Sequence, residues 1–439
     1  MSIRNALFFL FIIFSCFVSC ATNPNSYEPI DADVHNGSYE NALAAINNEN
    51  GAARKDIYTT RNEILLYLDR GMINHYAGLY MESSRDFQMA EQLIEEAYTK
   101  SMSQEIGSFL LNDNVRNYSG EDYEDLYINV FGALNYYNNG DIEGALVEIR
   151  RLNEKLVYLA DRYERAKDKI VESNDQVDTA SLPMEASRYS NSALARYLGM
   201  LFFRGTGKND DARIDYEELI RAYDLAPDVY THSIPSSAGE ELAIPGEKGR
   251  LNVIAFTGLS PVKVEESITI PLPLPFPNNS AKLALPVMIE RPSEVNTVEV
   301  VLNTGEKFTL ELIEDMSAVA RETFKSKQGL IILKASARSI SKAVVSAVAA
   351  ETVSQKQGLI GGLIVGAVGR IAADASEQAD LRLSRYFPSH AYVGGINLEP
   401  GTYTVAVNYY GNGGLLHSEK KDIAVRRNTL NLGQFFLLR

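Results

Sequence analysis

The hydrophobic period changes once along this chain, near residue 228. Upstream, Leu, Ala, Tyr and Ile recur every three or four residues and proline is nearly absent, the pattern of helices that bury one face. Downstream, Pro, Val and Thr become common and apolar residues alternate, as in half-buried strands. That order predicts an α+β protein, with helices and strands segregated along the chain. Ile234-Pro235-Ser236-Ser237-Ala238-Gly239 and Pro245-Gly246 interrupt any regular element, so 229–249 reads as a linker between a helical domain over 40–228 and a β-rich domain over 250–439.

Upstream of the change, three segments each predict two amphipathic helices joined by a tight turn. Asn62 to Gly78 leads into Ser84 to Tyr98, with Phe87, Ala90, Ile94 and Ala97 on one face. Tyr123 to Tyr137 is followed by Asn138-Asn139-Gly140-Asp141 and then by Ile142, Ala145, Ile149 and Leu152. Ser190 to Phe203 is followed by Arg204 to Asn209 and then by Ala212, Tyr216 and Leu219. Further helices are expected at Gln104 to Leu111 and Asp161 to Ser173. Ala133 and Tyr136 before Gly140 and Ala145, and Gly199 and Phe202 before Ala212 and Tyr216, resemble the tetratricopeptide repeat (TPR). The resemblance implies stacked helix pairs whose concave face binds a partner, with the β-rich domain docked elsewhere.

Downstream, strands are expected over Arg250 to Leu259, Pro261 to Pro271, Ala284 to Glu290, Val295 to Val301 and Lys307 to Leu312. More follow over Asp380 to Tyr386, Tyr392 to Leu398, Thr402 to Tyr409, Leu415 to Val425 and Thr429 to Leu438. Pro271 to Pro277 carries four prolines and must be an edge or a loop. Helices are expected near 312–327 and 335–376. The whole predicts a sandwich-like unit with inserted helices. Gly358 to Gly369 is an uncharged run of 12 residues, short of a bilayer span, and reads first as a buried helix.

The N-terminus carries targeting information. Ala6 to Ser19 is apolar or small throughout, follows the basic Arg4, and is too short to span a bilayer, so 1–19 reads as a signal peptide. Phe17-Val18-Ser19-Cys20 resembles a lipobox. The chain has two cysteines, and Cys16 lies inside the segment to be removed, so the mature chain would keep only Cys20, at its first position. Lipidation of Cys20 accounts for a thiol that has no partner in an oxidising compartment. The polar, turn-rich stretch over 20–39 reads as a tether. The lipobox resemblance, with Ala rather than Asp at position 21, implies sorting to the outer membrane.

A net charge of −15 with no basic stripe excludes nucleic acid as an expected partner. Gly205-Thr206-Gly207-Lys208 lacks the spacing of a phosphate loop and reads as an inter-helix turn. The histidines 35, 75, 232, 390 and 417 show no metal-ligand spacing, and no nucleophile motif is present, so no metal, cofactor or catalytic residue is assigned. Glu63, Asp69, Asp86, Glu91 and Glu95 stand at helical spacing and read as solvated faces. Glu148, Arg150 and Arg151 read first as an ion-pair network and second as a partner contact.

Leu65-Leu66-Tyr67-Leu68-Asp69-Arg70-Gly71-Met72, Gly144 to Asn153, Gly258-Leu259-Ser260-Pro261-Val262-Lys263, Ala379-Asp380-Leu381-Arg382 and Phe387-Pro388 together resemble an uncharacterised family of bacterial outer-membrane lipoproteins with TPR-like repeats. The resemblance implies architecture and no chemistry. The expected function is a lipid-anchored, periplasm-facing scaffold for an envelope protein, not an enzyme. The alternative is an envelope enzyme acting on glycan or peptide through a carboxylate site.

Overall fold

The computed structural model describes residues 26–103, 116–173, 187–271, 280–357 and 378–439. The signal segment, Cys20, the helix expected at Gln104 to Leu111 and the run Gly358 to Gly369 lie outside the described residues.

The tether expected over 20–39 is corrected from Ser26 onward. Helix α1 (Glu28–His35) and helix α2 (Tyr39–Asn47) occupy that stretch and its sequel. Tyr27, Ile30 and Val34 are buried at spacings of one helical turn. Pro29 suggested a loop, but it sits in the first turn of α1, where its missing N–H leaves no bond unmade.

Three helix pairs follow. They are α3 (Glu63–Tyr76) with α4 (Tyr80–Ser103), α5 (Asp122–Asn138) with α6 (Ile142–Ser173), and α7 (Ala193–Gly205) with α8 (Asn209–Leu225). The separate helix expected at Asp161 to Ser173 is the end of α6, since nothing in the sequence of α6 breaks it. The three turns share one hydrogen-bond pattern. Gly78, Gly140 and Gly207 bond to carbonyls three residues back, and the next residue bonds five back. The turn glycines have φ of +76°, +82° and +76°, a conformation that only glycine adopts at no steric cost. Eight residues beyond each turn glycine the second helix buries a carboxylate: Asp86, Glu148 and Asp215. Each accepts from its own first helix, Asp86 from Arg70 and Asn74, Glu148 from Asn129, and Asp215 from Arg196.

The expected linker 229–249 is packed. It contains α9 (Ser236–Glu240), and Val229, Tyr230, Ala238 and Glu241 are buried. The Glu241 carboxylate accepts from Arg250 Nε at 2.6 Å and pairs with Arg204 at 3.2 Å, which ties helices to sheet across the supposed boundary.

The strands are β1 (Gly249–Thr257), β2 (Val262–Pro271), β3 (Ser280–Ile289), β4 (Thr297–Leu302) and β5 (Lys307–Asp315). After the long helix come β6 (His390–Leu398), β7 (Gly401–Gly411), β8 (Gly414–Val425) and β9 (Asn431–Leu437). Seven form one sheet in the order β8-β7-β4-β5-β6-β1-β9, with β9 parallel to β1 and the other neighbours antiparallel. β2 and β3 form a separate antiparallel ribbon. The sheet curls until its ends meet, where Lys421 Nζ of β8 donates to the Gln434 carbonyl of β9 at 2.7 Å. Val253, Ala255, Val300, Val405, Val407 and Tyr409 fill the inside of the curl.

The outer face of β1 and β9 does not meet solvent. Ile254, Phe256 and Leu432 belong to the same apolar core as Leu65, Met72, Phe131 and Leu198 of the helices. The helical and β-rich regions therefore share a core. Two helices expected near 312–327 and 335–376 are corrected to a single α10 (Met316–Gln357), preceded by strand through Asp315. No proline interrupts it. The stretch between the two expected helices is held by Ile331 and Ile332, which pack on Leu283 and Leu285 of the ribbon.

Candidate functional site

Residues 379–389 cover part of the helical region. Alternation predicts a strand over Asp380 to Tyr386, but this segment joins no sheet. It runs extended as a strap against α1, α3 and α5, with Leu383, Ser384, Tyr386 and Phe387 buried. Buried backbone groups need partners, and here side chains and the backbone N–H of Ser260 supply them in place of a neighbouring strand. Ser384 N–H donates to Glu124 Oε1 at 2.6 Å, and Arg385 N–H donates to Asp69 Oδ1 at 3.0 Å. The Tyr386 carbonyl accepts from the Tyr76 hydroxyl at 2.7 Å, and the Phe387 carbonyl from Ser260 N–H at 2.7 Å. The Arg382 carbonyl accepts from Lys263 Nζ at 3.1 Å.

The strap side chains are read as closely as its backbone. Ser384 Oγ donates to Asp69 Oδ1 at 2.7 Å. Arg385 reaches Asp31 at 2.5 Å and lies over the Tyr27 ring at 4.5 Å. Tyr386 donates to the same Asp31 at 3.0 Å. Arg382 donates to Asn62 Oδ1 at 3.1 Å and the Arg116 carbonyl at 2.9 Å, above the Tyr118 ring. Phe387 packs against the rings of Tyr123, Tyr127 and Phe131 of α5.

The carboxylates beneath the strap are sealed. Burial pushes Asp69 up to about 6, offset in part by the donors Ser384, Arg385 N–H and Tyr58. Burial and then the neighbouring Glu121 push Glu124 up to about 7. A third sealed carboxylate, Glu314, comes from the sheet. The β5–β6 register shifts between Leu312 and Glu314, and such a bulge re-aims a side chain. Glu314 accepts from Tyr230 at 2.6 Å, Tyr127 at 2.7 Å, Ser192 at 3.1 Å and Leu194 N–H at 3.3 Å. Burial raises its pKa too. Glu314 fastens α5 and α7 to the sheet, and Asp69 and Glu124 fasten the strap to α3 and α5.

The expectation that the β-rich domain docks away from the helix pairs is thus corrected: the strap and strands β1 and β9 cover the first helices. The carboxylates expected to be solvated are corrected in part. Glu63 and Glu95 are exposed, whereas Asp69, Asp86 and Glu91 are buried. The helical spacing was right, but it marked the packed side.

Glu148 and Arg151 do come together. Arg151 pairs with Glu148 at 3.1 Å and with Glu91, and Lys155 joins Glu91 and Asp125 at 2.7 Å each. Although burial pushes Glu91 up, Lys155 and Arg151 hold it below the usual carboxylate range. Arg150 points elsewhere, to a cleft of about 200 Å³ between α6 and the α7–α8 pair, with Ile149, Phe203 and Ile214. His75 is buried with Nδ1 2.6 Å from Asn135 Oδ1, and burial lowers it to about 4, so it is neutral. Gly205 to Lys208 forms the α7–α8 turn. Among the described residues no cluster of His, Cys, Asp or Glu is placed to hold a metal ion, and no helix is long and apolar enough to cross a membrane.

Comparison with known protein families, curated proteins and solved structures finds no match. The functional reading rests on the residues above.

Asp69, Glu124 and Glu314 are the residues that sequence reasoning missed as a set. A signal existed. Asp69 and Glu314 each follow apolar residues, as in Leu65-Leu66-Tyr67-Leu68-Asp69 and Leu312-Ile313-Glu314, in a chain with 24 tyrosines and no tryptophan, whereas Glu124 lies in the acidic stretch Glu121 to Asp125 and gives no such signal. Tyrosine hydroxyls are the donors such carboxylates take.

Proposed function

We propose that this chain is a lipid-anchored scaffold of the cell envelope, tethered through Cys20 to the outer membrane, facing the periplasm and holding a protein partner through its helix pairs. On this reading the pairs are TPR-like units and the curled sheet is a sandwich-like unit. The observation that carries it is the strap. The first-helix face takes up an extended segment by its backbone and by two arginines, the way a protein-binding surface takes up a peptide. The recurrent turn and the buried carboxylate eight residues beyond it support common construction of the three pairs.

The anchor and the scaffold are tested separately. Cys20→Ala should abolish labelling by a palmitate analogue and release the protein to the soluble periplasmic fraction; labelling that persists removes the anchor. Crosslinking in the native membrane followed by purification should return a discrete protein partner in stoichiometric amount. Recovery of the chain alone, at every crosslinker length, would defeat the scaffold.

A further inference from the structure

We propose that the face formed by α1, α3 and α5 is a peptide-recognition groove that the chain fills in cis with Arg382 to Phe387, and that its trans partner is an extended segment with two arginines three residues apart followed by an aromatic pair. This rests on the scaffold reading and names the partner chemistry of its site.

The groove is selective at three places. Asp31 and the Tyr27 ring hold one guanidinium, and Asn62, the Arg116 carbonyl and the Tyr118 ring hold the other, which the strap's own Asp380 also pairs at 2.7 Å. The spacing between them is that of Arg382 and Arg385. Between them Asp69 and Glu124 take two successive backbone N–H groups. Beyond them the rings of Tyr123, Tyr127 and Phe131 take an aromatic side chain. Charge favours such a ligand at one end of the groove, where Asp31 pairs with a guanidinium.

On this reading the strap opens as a unit and draws Leu383, Tyr386 and Phe387 out of the core shared with the helices. No sheet ladder holds residues 379–386. Closing it seals Asp69 and Glu124 from water. Around Asp69 stand Tyr58, Tyr27, Asp31 and the strap's Arg385 and Tyr386. Around Glu124 stand Tyr118, Tyr123 and Glu121, with Lys263 and Lys327 bound to Glu121. In the closed state both carboxyls are raised, to about 6 and about 7, so the closed state binds more protons than the open one. Opening is therefore favoured as pH rises through that range. A groove that is open only a small fraction of the time weakens its trans ligand by that fraction.

The test uses the full chain and a fluorescein-labelled peptide of residues 380–388. In hydrogen exchange corrected for intrinsic rates, the amides of Ser384 and Arg385 should exchange faster than those of β1, and more so at about pH 8 than at about pH 5. The peptide should bind wild type weakly and an Arg382→Ala/Arg385→Ala chain about tenfold more tightly, because the weakened strap opens more often. A peptide with both arginines replaced by glutamate should not bind. The proposal is overturned if the strap amides exchange only together with β1. It is also overturned if the variant, folded by circular dichroism, binds no better than wild type. If the variant does not fold, wild type decides: binding of the strap peptide that is lost on replacing both arginines by glutamate supports the groove, and equal binding of the two peptides, or no binding of either, overturns it. Failure here leaves the scaffold standing if crosslinking still returns a partner, since that partner would sit on another face.

Discussion

The same helix pairs bury carboxylates on two sides, and the two sides treat them differently. On the first-helix side, Asp69, Glu124 and Glu314 are bonded by tyrosine and serine hydroxyls and by backbone N–H groups. On the second-helix side, Asp86, Glu91, Glu148 and Asp215 are bonded by arginine or lysine. Hydroxyls satisfy geometry without cancelling charge, so burial wins and the carboxyls rise. Cations cancel charge, and Glu91 falls. Asp215 is the exception. Burial lifts it to about 6 despite Arg196, and its Oδ2 has no hydrogen-bond partner. Neutral donors therefore hold Asp69, Glu124 and Glu314 at the seam, beside the buried ion pairs of Glu241 with Arg250 and of Glu121 with Lys263, while the second-helix carboxylates take cations.

The largest break in this comparison should come from Glu314→Ala. It strands the donors of Tyr127, Tyr230, Ser192 and Leu194 at a buried seam, and should lower stability by roughly 3–5 kcal/mol in urea unfolding. A loss under about 1 kcal/mol would mean that the seam is held by apolar packing alone.

The next effect is on pH dependence. Unfolded carboxyls titrate near ~4. Asp69 and Glu124 are raised in the folded state, so their contribution is fully present below that value and is lost as pH rises through about 6 and about 7. Stability measured across that window should fall with pH, and Glu124→Gln should flatten the fall. An unchanged slope in the variant would show that Glu124 is not among the titrating groups.

Tyr76→Phe removes only the bond to the Tyr386 carbonyl and should lower stability by about 1 kcal/mol, with no response to salt. Arg151→Ala acts on an ion pair whose arginine is 42% exposed, so its effect should be smaller, below ~1 kcal/mol, and should shrink further at high salt. If the two variants respond to salt alike, the two sides do not differ in the way described.

Much of this was legible beforehand. The helix-to-strand order, the three helix pairs, the turns at Gly140 and Gly207 and the pairing of Glu148 with Arg151 all follow from local pattern. The failures share a cause. Residues 26–39 and 229–249 are polar and turn-rich, but they pack because Tyr27, Ile30, Val34, Tyr230 and Glu241 find partners far away in sequence. Asp380 to Tyr386 alternates in sequence like a strand, but its burial does not alternate, since Leu383 and Ser384 are both buried and Leu381 is exposed. Helical spacing located Asp69 and Asp86 on faces, and spacing alone does not say which face meets solvent.

By itself, then, the sequence determined the element types, because periodicity and turn chemistry are local. Only the tertiary structure decided that the β-rich half lies in the helical face, and that three carboxylates with hydroxyl partners fasten the two. Those contacts join residues such as Asp69 and Ser384, 315 positions apart. No local pattern encodes which distant donor a buried acceptor will meet.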